Sequence, residues 1–327
     1  MAAMWNIIGN QAAIAQLDRA VRSGTPAHAL LLVGPPHSGK TTLASTFAQA
    51  LNCTGSAPPC GICRDCRKIA AGNHPDVDVV APGDAENPRA RIIKIDRLRA
   101  MIQQASLAPT EGRYKVIIVD ADAVTGLQAS ALLKTLEEPS PSVVFVLTAV
   151  TVEALPDAIV SRCQVLQTSP ASIEELTQQI AQRLGLALDD AAAFARLSGG
   201  HTGRALDLAA HPEVRETEAE ELKRLLRASA GAPFDRLTLA YQSASSPDRS
   251  IETLAIWGRW WRDALMLALG LHGAVIRPAW EADLRSFGAI RQPAILARQL
   301  RAIHRTADLI AGNVNPRLAM EALALEL

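Results

Sequence analysis

Residues 30–42 read Leu-Leu-Leu-Val-Gly-Pro-Pro-His-Ser-Gly-Lys-Thr-Thr, and they decide the fold of the first half of the chain. They begin with a continuous apolar run, which is typical of a strand buried on both faces of a parallel sheet. Residues 34–41 then match the phosphate-binding loop pattern, and residues 41–51 have helical periodicity. A strand, a glycine-rich loop and a helix in this order predict a nucleotide-binding α/β domain.

The loop has the chemistry that a nucleoside triphosphate requires. Its glycines let backbone N–H groups turn toward the phosphates, and the N-terminus of the following helix adds a favourable field. Lys40 would reach the β- and γ-phosphates, and the Thr41 hydroxyl would bind Mg²⁺, so ATP with Mg²⁺ is the predicted cofactor. The predicted binding residues of this segment are Gly34, Pro35, Pro36, His37, Ser38, Gly39, Lys40, Thr41 and Thr42.

Short apolar runs alternate with helical patterns around this loop. Continuous apolar strands separated by helices predict a parallel, five-stranded sheet that is covered on both faces. The other candidate strands are residues 77–80, 116–119, 143–147 and 164–166, and the helical patterns between them are residues 92–105 and 127–136.

The pattern changes from about residue 169, after which only helices follow. A capping box at Ser172-Ile-Glu-Glu175 begins a helix, and Gly199-Gly200 ends the next one. The chain is therefore expected to have three domains. They are a P-loop domain at residues 1–168, a small all-α unit at 169–212 and a second all-α block at 213–327.

Composition excludes several classes of protein. Lys plus Arg and Asp plus Glu both number 33, which argues against a protein that grips DNA alone through a strongly basic surface. The N-terminus lacks the pattern of a signal peptide, and the most apolar window, residues 264–276, is too short to span a bilayer. A cytoplasmic protein without membrane partners is the expectation.

Four of the five cysteines crowd into residues 53–66. Cys53, Cys60, Cys63 and Cys66 include two overlapping C-x-x-C steps in a segment rich in Gly and Pro. Four thiolates at this spacing can enclose a tetrahedral Zn²⁺ with no open position, which is a structural site. Free thiols or an iron–sulfur cluster are the alternatives, but nothing else in the sequence indicates electron transfer.

The order of several further motifs carries a family resemblance over residues 5 to about 210. They are Ile8-Gly9, His28-Ala-Leu-Leu-Leu32, the four-cysteine insertion, His74-Pro75-Asp76, Ala131-Leu-Leu-Lys-Thr-Leu-Glu-Glu-Pro139 and Ser161-Arg162-Cys163. Together they resemble the clamp-loader branch of the AAA+ proteins. The resemblance implies an AAA+ domain, a helical lid at residues 169–212 and a helical collar at 213–327 that joins a ring.

The resemblance also assigns roles to single residues. It implies that Arg162 is an arginine finger acting in trans on a neighbour's ATP, that Thr148 is at the sensor-1 position and that Arg204 is the sensor-2 arginine. The implied partners are gamma/tau and delta clamp-loader subunits in a hetero-pentameric ring, with the sliding clamp and primer–template DNA contacted through the complex. A replication role further implies association with the nucleoid.

Asp120 ends the apolar run of residues 116–119 and resembles the second NTPase element, whose acid holds Mg²⁺. In AAA+ ATPases the next residue is normally a glutamate that activates the attacking water, but here it is Ala121. If the backbone stays extended, Asp122 lies on the same side as Asp120 and does not simply replace the missing group. The sequence thus predicts ATP binding with weak or no hydrolysis.

Three functions remain open at this point. The favoured one is a subunit of the bacterial DNA polymerase III clamp loader that braces the ring and donates Arg162 during clamp loading. The second is a gamma/tau-type ATPase motor, favoured by the intact loop at residues 34–41. The third is a zinc-dependent scaffold with a vestigial nucleotide site.

Three further patterns have plainer interpretations. Trp257, Trp260 and Trp261 share one helix face and are expected to pack in a core or collar. The charge-rich residues 216–227, including Glu221 and Lys223, are expected to be solvated. A basic cluster is either a solvated face or a DNA contact, and it consists of Arg89, Arg91, Lys94, Arg97 and Arg99.

Overall fold

The structure is a computed structural model that describes residues 5–83, 92–138, 140–277, 280–289 and 291–327. Arg89 and Arg91 of the basic cluster lie outside these residues. The chain divides into two compact units. The first comprises Met1–Gly185 with Gly200–Arg204, and the second comprises Leu186–Gly199 with Ala205–Leu327. The domain boundaries near residues 168 and 212 remain predictions.

The first unit contains the predicted parallel sheet of five strands. In spatial order the strands are β2, β3, β4, β1 and β5, and every neighbouring pair is parallel. Each predicted strand is present, with ends that differ by no more than two residues. The strands are β1 (Ala29–Val33), β2 (Val77–Val80), β3 (Lys115–Asp120), β4 (Val143–Ala149) and β5 (Gln164–Gln167).

Helices cover both faces of this sheet. Along β1, Leu31 and Val33 belong to one apolar cluster while Leu30 and Leu32 belong to another, because successive side chains of a strand point to opposite faces. Burial on both faces explains why the strand reads as a continuous apolar run. The helices of this unit are α1 (Gln11–Ser23), α2 (Lys40–Asn52), α3 (Arg64–Ala70), α4 (Ile95–Ala105), α5 (Gly126–Glu137), α6 (Asp157–Val160) and α7 (Ile173–Leu184).

Asp76 fastens the segment before β3 to the start of β2. Its carboxylate accepts hydrogen bonds from the backbone N–H groups of Thr110, Glu111 and Gly112 at 2.7, 2.7 and 2.8 Å. The residue is only 1% exposed. Although burial raises the pKa of this carboxyl, the three N–H donors outweigh burial and lower its pKa below the ordinary value. The ionised form of Asp76 therefore stabilises the folded protein.

Asp76→Asn is expected to lower the free energy of unfolding by about 2–4 kcal/mol, because an amide NH₂ group would face backbone donors. The pKa of Asp76 is depressed in the folded state. Its contribution is therefore complete above the unfolded pKa of about 3.9 and disappears as pH falls through the folded value. Urea unfolding followed by circular dichroism at neutral and acid pH measures both effects. Asp78→Asn is the matched control, and equal unfolding midpoints for the two variants at neutral pH would contradict the assignment.

The second unit is entirely helical in the residues described. Trp257, Trp260 and Trp261 are at most 1% exposed, so their predicted core position is confirmed. Phe287 packs edge-on against Trp260 and Trp261. The helices are α8 (Leu188–Ser198), α9 (Thr202–Ala210), α10 (Pro212–Ala230), α11 (Pro233–Ser243), α12 (Pro247–Ala268), α13 (Glu281–Ala289), α14 (Pro293–Ala311) and α15 (Pro316–Glu326), of which α9 begins in the first unit.

The expectation of a solvated charged face on α10 is wrong at two positions. Glu218 and Glu221 are only 7% and 2% exposed. Glu218 pairs with Arg259 and Arg277, and Glu221 accepts the indole N–H of Trp257 at 3.3 Å. Buried carboxylates require such partners. These partners lie 36 to 59 residues further along the chain, so the local charge pattern does not reveal them.

In the part of the chain that the structure describes, no helix is both long enough and apolar enough to cross a membrane. Within the basic cluster, Arg97 donates to the Val79 carbonyl at 3.0 Å and Arg99 pairs with Asp96 at 3.6 Å. A DNA contact by this cluster stays a prediction.

Candidate nucleotide and metal sites

The predicted phosphate loop lies between β1 and α2, as its pattern requires. Its first N–H, that of Gly34, donates to the Ala149 carbonyl at the end of β4. A Cβ on Gly34 would lie 2.2 Å from Thr168 Oγ1, so only glycine fits there. Gly39 has a φ of +87° and His37 a φ of +60°, which bends the chain back into the helix. Within this segment Pro36, His37, Thr41 and Thr42 are exposed, whereas Gly34 and Ser38 are buried.

The loop's carbonyl groups are held by donors from three segments. Lys40 Nζ donates to the carbonyls of Gly34 and Pro35 at 2.6 and 2.9 Å. The N–H of Gly203 donates to the His37 carbonyl at 3.2 Å, and Asn10 Nδ2 donates to the Ser38 carbonyl at 3.0 Å. Sequence reasoning missed Asn10. The signal available was a Gly-Asn pair directly before a helix, since Asn tolerates the left-handed backbone found at this position.

Lys40, Asp120 and Thr148 meet at the carboxyl edge of the sheet. Thr148 on β4 is in register with Asp120 on β3 and with Leu32 on β1. Burial lowers the pKa of Lys40, while the charges of Asp122 and Asp120 raise it. Burial and the charge of Asp122 raise the pKa of Asp120. This cluster could hold a phosphate and its metal ion, because the charges of Lys40 and Asp120 would replace the water that the two ions lose on binding.

The expected position of Asp122 rested on an extended backbone, and that premise is wrong. Ala121–Ala123 form a 3₁₀ turn. The turn directs the Asp122 carboxylate to the N–H of Val150, which donates to it at 2.9 Å. Ala121 itself is buried at 3% exposure and has no group that could orient water. The absence of a glutamate after Asp120 is therefore not repaired by Asp122 in this arrangement.

Residues 200–204 bring two further side chains to the loop. The His201 ring faces the Pro36 carbonyl. Burial lowers the pKa of His201, and the charges of His37, Arg204 and Lys40 lower it further. The predicted residue Arg204 is thus close to the loop. His201 was missed, and its only sequence signal is its place between Gly200 and Gly203.

The four clustered cysteines converge as predicted. Their sulfur atoms all lie within 4.8 Å of one another. Cys53 Sγ accepts N–H groups from Gly55 and Cys60, Cys60 Sγ accepts one from Cys63, and Cys63 Sγ accepts one from Cys66. Such bonds stabilise thiolates, and a tetrahedral Zn²⁺ with bonds of about 2.3 Å fits this spacing.

The four thiols differ in the direction of their pKa: burial raises the pKa of Cys53 and Cys66, whereas backbone N–H groups lower the pKa of Cys60. Although burial raises the pKa of Cys63, backbone N–H groups of Cys66 and Thr54 lower it to about 6. Burial raises the pKa of Cys163 to about 11, and Cys163 is not part of the group of four. Gly55 was missed in the sequence: a Cβ there would lie 2.9 Å from Cys60 Cβ and 3.0 Å from Cys60 Sγ.

A second group with residue types that can bind a metal consists of Asp65, His74 and Glu111. The tautomer of His74, however, does not suit a metal ligand. His74 Nδ1 accepts the N–H of Asp76 at 3.1 Å. A neutral imidazole that accepts at Nδ1 carries its proton on Nε2 and has no lone pair there. Since Nε2 is the atom that faces Asp65, at 3.7 Å, the arrangement suits an N–H donor facing a carboxylate. Lys68 and Arg64 of α3 also pair with Glu111, so this group docks the cysteine segment on the sheet.

Arg162 follows α6 and is 35% exposed at its side chain. Its guanidinium donates to Glu137 at the end of α5 at 2.6 Å and to the Ala158 carbonyl at 2.7 Å. The two predicted motifs that hold these residues, 131–139 and 161–163, therefore meet at the protein surface.

A parallel sheet with a phosphate loop after its first strand, followed by a helical region, defines a P-loop protein of the AAA+ class. A sequence model of the family described as "DNA polymerase III, delta subunit" matches residues 9–172. The chain belongs to the family of bacterial DNA polymerase III clamp-loader subunits, which confirms the family resemblance.

Relatives in this family carry two kinds of name. The chain is 28% identical to the delta' subunit of DNA polymerase III from Bacillus subtilis over 317 residues, which cover 92% of this chain and 90% of that protein. It is 30% identical to the tau subunit from Escherichia coli over 254 residues, which cover 77% of this chain and 34% of that protein. The chain thus spans about a third of the length of the tau subunits that it matches.

A delta' subunit from Pseudomonas aeruginosa is 37% identical over 219 residues, or 63% of each protein. Among solved structures, a gamma subunit-related protein of DNA polymerase III from Thermotoga maritima is 17% identical, with a TM-score of 0.48 over 95% of this chain and 97% of that one.

Proposed function

We propose that this chain is a delta-prime-type subunit that braces the clamp-loader ring of the DNA polymerase III holoenzyme and assists ATP-dependent loading of the sliding clamp onto primed DNA. Its partners would be gamma/tau and delta subunits in a hetero-pentameric ring, with the P-loop, lid and collar domains at residues 1–168, 169–212 and 213–327. The observation that carries the proposal is Ala121, which stands buried where an ATPase motor needs a glutamate.

The extent of the matches within this chain supports the same choice. The delta' subunit of Bacillus subtilis matches over 92% of this chain, whereas the tau subunit of Escherichia coli matches over 77%. A motor subunit stays the alternative because the phosphate loop is intact.

The nucleotide site fits ATP with Mg²⁺. Lys40 lies beside Asp120 and Asp122 at the sheet edge, and the Thr41 hydroxyl is exposed in the first turn of α2. Thr41 and Asp120 would hold the metal ion, which would supply positive charge against the phosphates. Thr148 and Arg204 would face the same site from β4 and from residues 200–204. With Ala121 in the next position, this chain holds the ligand but does not activate water.

The isolated chain is expected to bind Mg²⁺–ATP and to hydrolyse it very slowly. Titration calorimetry and a phosphate-release assay on the same preparation measure the two properties separately. Lys40→Ala is expected to abolish binding without unfolding the protein, because Lys40 is half-buried at the surface of the sheet. Rapid hydrolysis that Lys40→Ala abolishes would instead identify a motor subunit, and no binding at all would favour the zinc-dependent scaffold.

Arg162 is proposed to act in trans on a neighbour's ATP. It lies on the surface, and its one charged partner within the described residues is Glu137. An exposed ion pair of this kind stabilises by about 0–1 kcal/mol, so the guanidinium can leave Glu137 at small cost.

Assembly tests the proposal as a whole. The chain is expected to co-purify with a gamma/tau-type subunit and a delta subunit, and the mixture is expected to hydrolyse ATP faster in the presence of clamp and primed DNA. Failure of the chain to enter such a complex would refute the proposed function.

A further inference from the structure

Two side chains from outside residues 34–41, those of Asn10 and His201, face the carbonyl groups of the phosphate loop. The carbonyl groups of Gly34 and Pro35 accept from Lys40. Of the three carbonyls that follow, that of His37 accepts the Gly203 N–H and that of Ser38 accepts from the Asn10 amide, while that of Pro36 faces the His201 ring. Each of five successive carbonyls of the loop thus has a donor or an imidazole beside it.

The direction of a carbonyl decides the direction of the next N–H. In a trans peptide the C=O of one residue and the N–H of the next point in opposite directions. A donor that fixes the Pro36 carbonyl from outside therefore turns the His37 N–H to the other side, and Asn10 does the same for the N–H of Gly39. Inward N–H groups attract phosphate oxygens, whereas inward carbonyls repel them.

Asn10 is buried, and both ends of its amide group are hydrogen-bonded. It is 8% exposed and adopts a left-handed conformation with a φ of +59°. Its Nδ2 donates to the Ser38 carbonyl, and its Oδ1 accepts the N–H of Ser169 after β5, both at 3.0 Å. One buried amide thus ties the phosphate loop to the end of the last strand.

We propose that Asn10 and His201 are positioning residues of the nucleotide site, which hold the phosphate loop in the conformation that receives a triphosphate. The inference rests on the proposed nucleotide binding and deepens it. Because His201 belongs to residues 200–204, the conformation of that segment and the affinity of the loop become linked.

The protonation of His201 is linked to nucleotide binding in the same way. Its ring is half-buried near cationic or titratable groups, namely His37 on the loop, Lys40 at the start of α2 and Arg204 on α9. Its Nδ1 is buried and has no hydrogen-bond partner among the described residues. These surroundings favour the neutral ring in the free protein. A bound polyphosphate reverses the local charge and favours the imidazolium, so binding takes up a proton and tightens as pH falls.

The first experiment measures Mg²⁺–ATP affinity by calorimetry for Asn10→Gly. Glycine tolerates the left-handed backbone and removes only the amide. We expect affinity to fall about three- to tenfold, with a small change in the thermal midpoint. Asn6→Gly, which removes an exposed amide bonded to Arg183, is the control and should bind as the unmodified protein does.

The second experiment compares His201→Gln with His201→Ala at about pH 8 and about pH 6. Glutamine keeps an N–H donor within reach of the Pro36 carbonyl but does not titrate, so it should retain affinity at the higher pH where alanine loses it. The unmodified protein should gain about three- to tenfold more affinity than His201→Gln on acidification. The comparison cancels the titration of ATP itself. His211→Gln, at an exposed histidine, should keep the unmodified pH profile.

The outcomes separate the inference from the proposed function. Unchanged affinity for Asn10→Gly and His201→Ala, or identical pH profiles for His201→Gln and the unmodified protein, would overturn the inference while nucleotide binding stands. A failure of the unmodified protein to bind ATP would overturn both.

Discussion

Arg162→Ala is expected to slow ATP hydrolysis at the neighbouring subunit's site by about 10³-fold or more within the assembled complex. Charge in the transition state spreads over the equatorial oxygens of the γ-phosphoryl group, and a guanidinium placed there stabilises it. The clamp- and DNA-stimulated rate of the whole complex should fall only partially, because the other sites keep their fingers. This chain's own fold and ATP affinity should change little, since the exposed pair with Glu137 contributes about 0–1 kcal/mol.

Two variants serve as controls for this prediction. Arg162→Lys should not rescue the rate, because a point ammonium lacks the planar fork that spans two oxygens. Glu137→Gln removes the charged partner but leaves the guanidinium, so stimulated hydrolysis should persist. A complex with Arg162→Ala that assembles normally and hydrolyses ATP at the full stimulated rate would refute the trans role.

The protein is expected to bind one Zn²⁺ per chain, held by Cys53, Cys60, Cys63 and Cys66. Metal analysis of protein purified without added zinc measures the stoichiometry. Cys60→Ser should bring the zinc content close to zero in the presence of a competing chelator, because a structural site of this kind needs all four thiolates. The thermal midpoint should fall with it, since α3 carries Cys66 and docks on the sheet through Glu111.

Cys163→Ser is the control, because the half-buried Cys163 lies outside the cluster, and zinc content should stay unchanged. Gly55→Ala should weaken zinc binding without removing a ligand, since its Cβ would lie 3.0 Å from Cys60 Sγ. A zinc content near zero in fully reduced, folded protein would eliminate the metal site.

The fold of the first unit could be predicted because its information is local. Leu30–Val33 are apolar without interruption because both faces of β1 are covered. At Gly34 no other residue fits, because a Cβ there would clash with Thr168. The cysteine cluster lies within one short segment, so its spacing nearly determines its geometry. The three-tryptophan face of α12 followed from helical periodicity for the same reason.

Failures of the sequence reasoning occurred where a partner lies far along the chain. Glu218 and Glu221 read as solvated, yet each meets cations or an indole that packing brings from α12 or beyond. The backbone at Asp122 was expected to be extended because a strand precedes it, but the chain turns directly after Asp120. Local periodicity contains no information about either contact.

The sequence by itself thus determined the order of strands and helices, the phosphate loop, the missing glutamate at Ala121 and the four thiolates. Each of these is encoded by residues close together in the chain, where burial period and backbone geometry act directly. Only the tertiary structure decided which side chains surround the loop. Asn10 and His201 reach it from positions 28 and 165 residues away from Ser38 and Pro36, respectively. Their roles depend on packing that aligns a donor with one carbonyl, and no local pattern records that alignment.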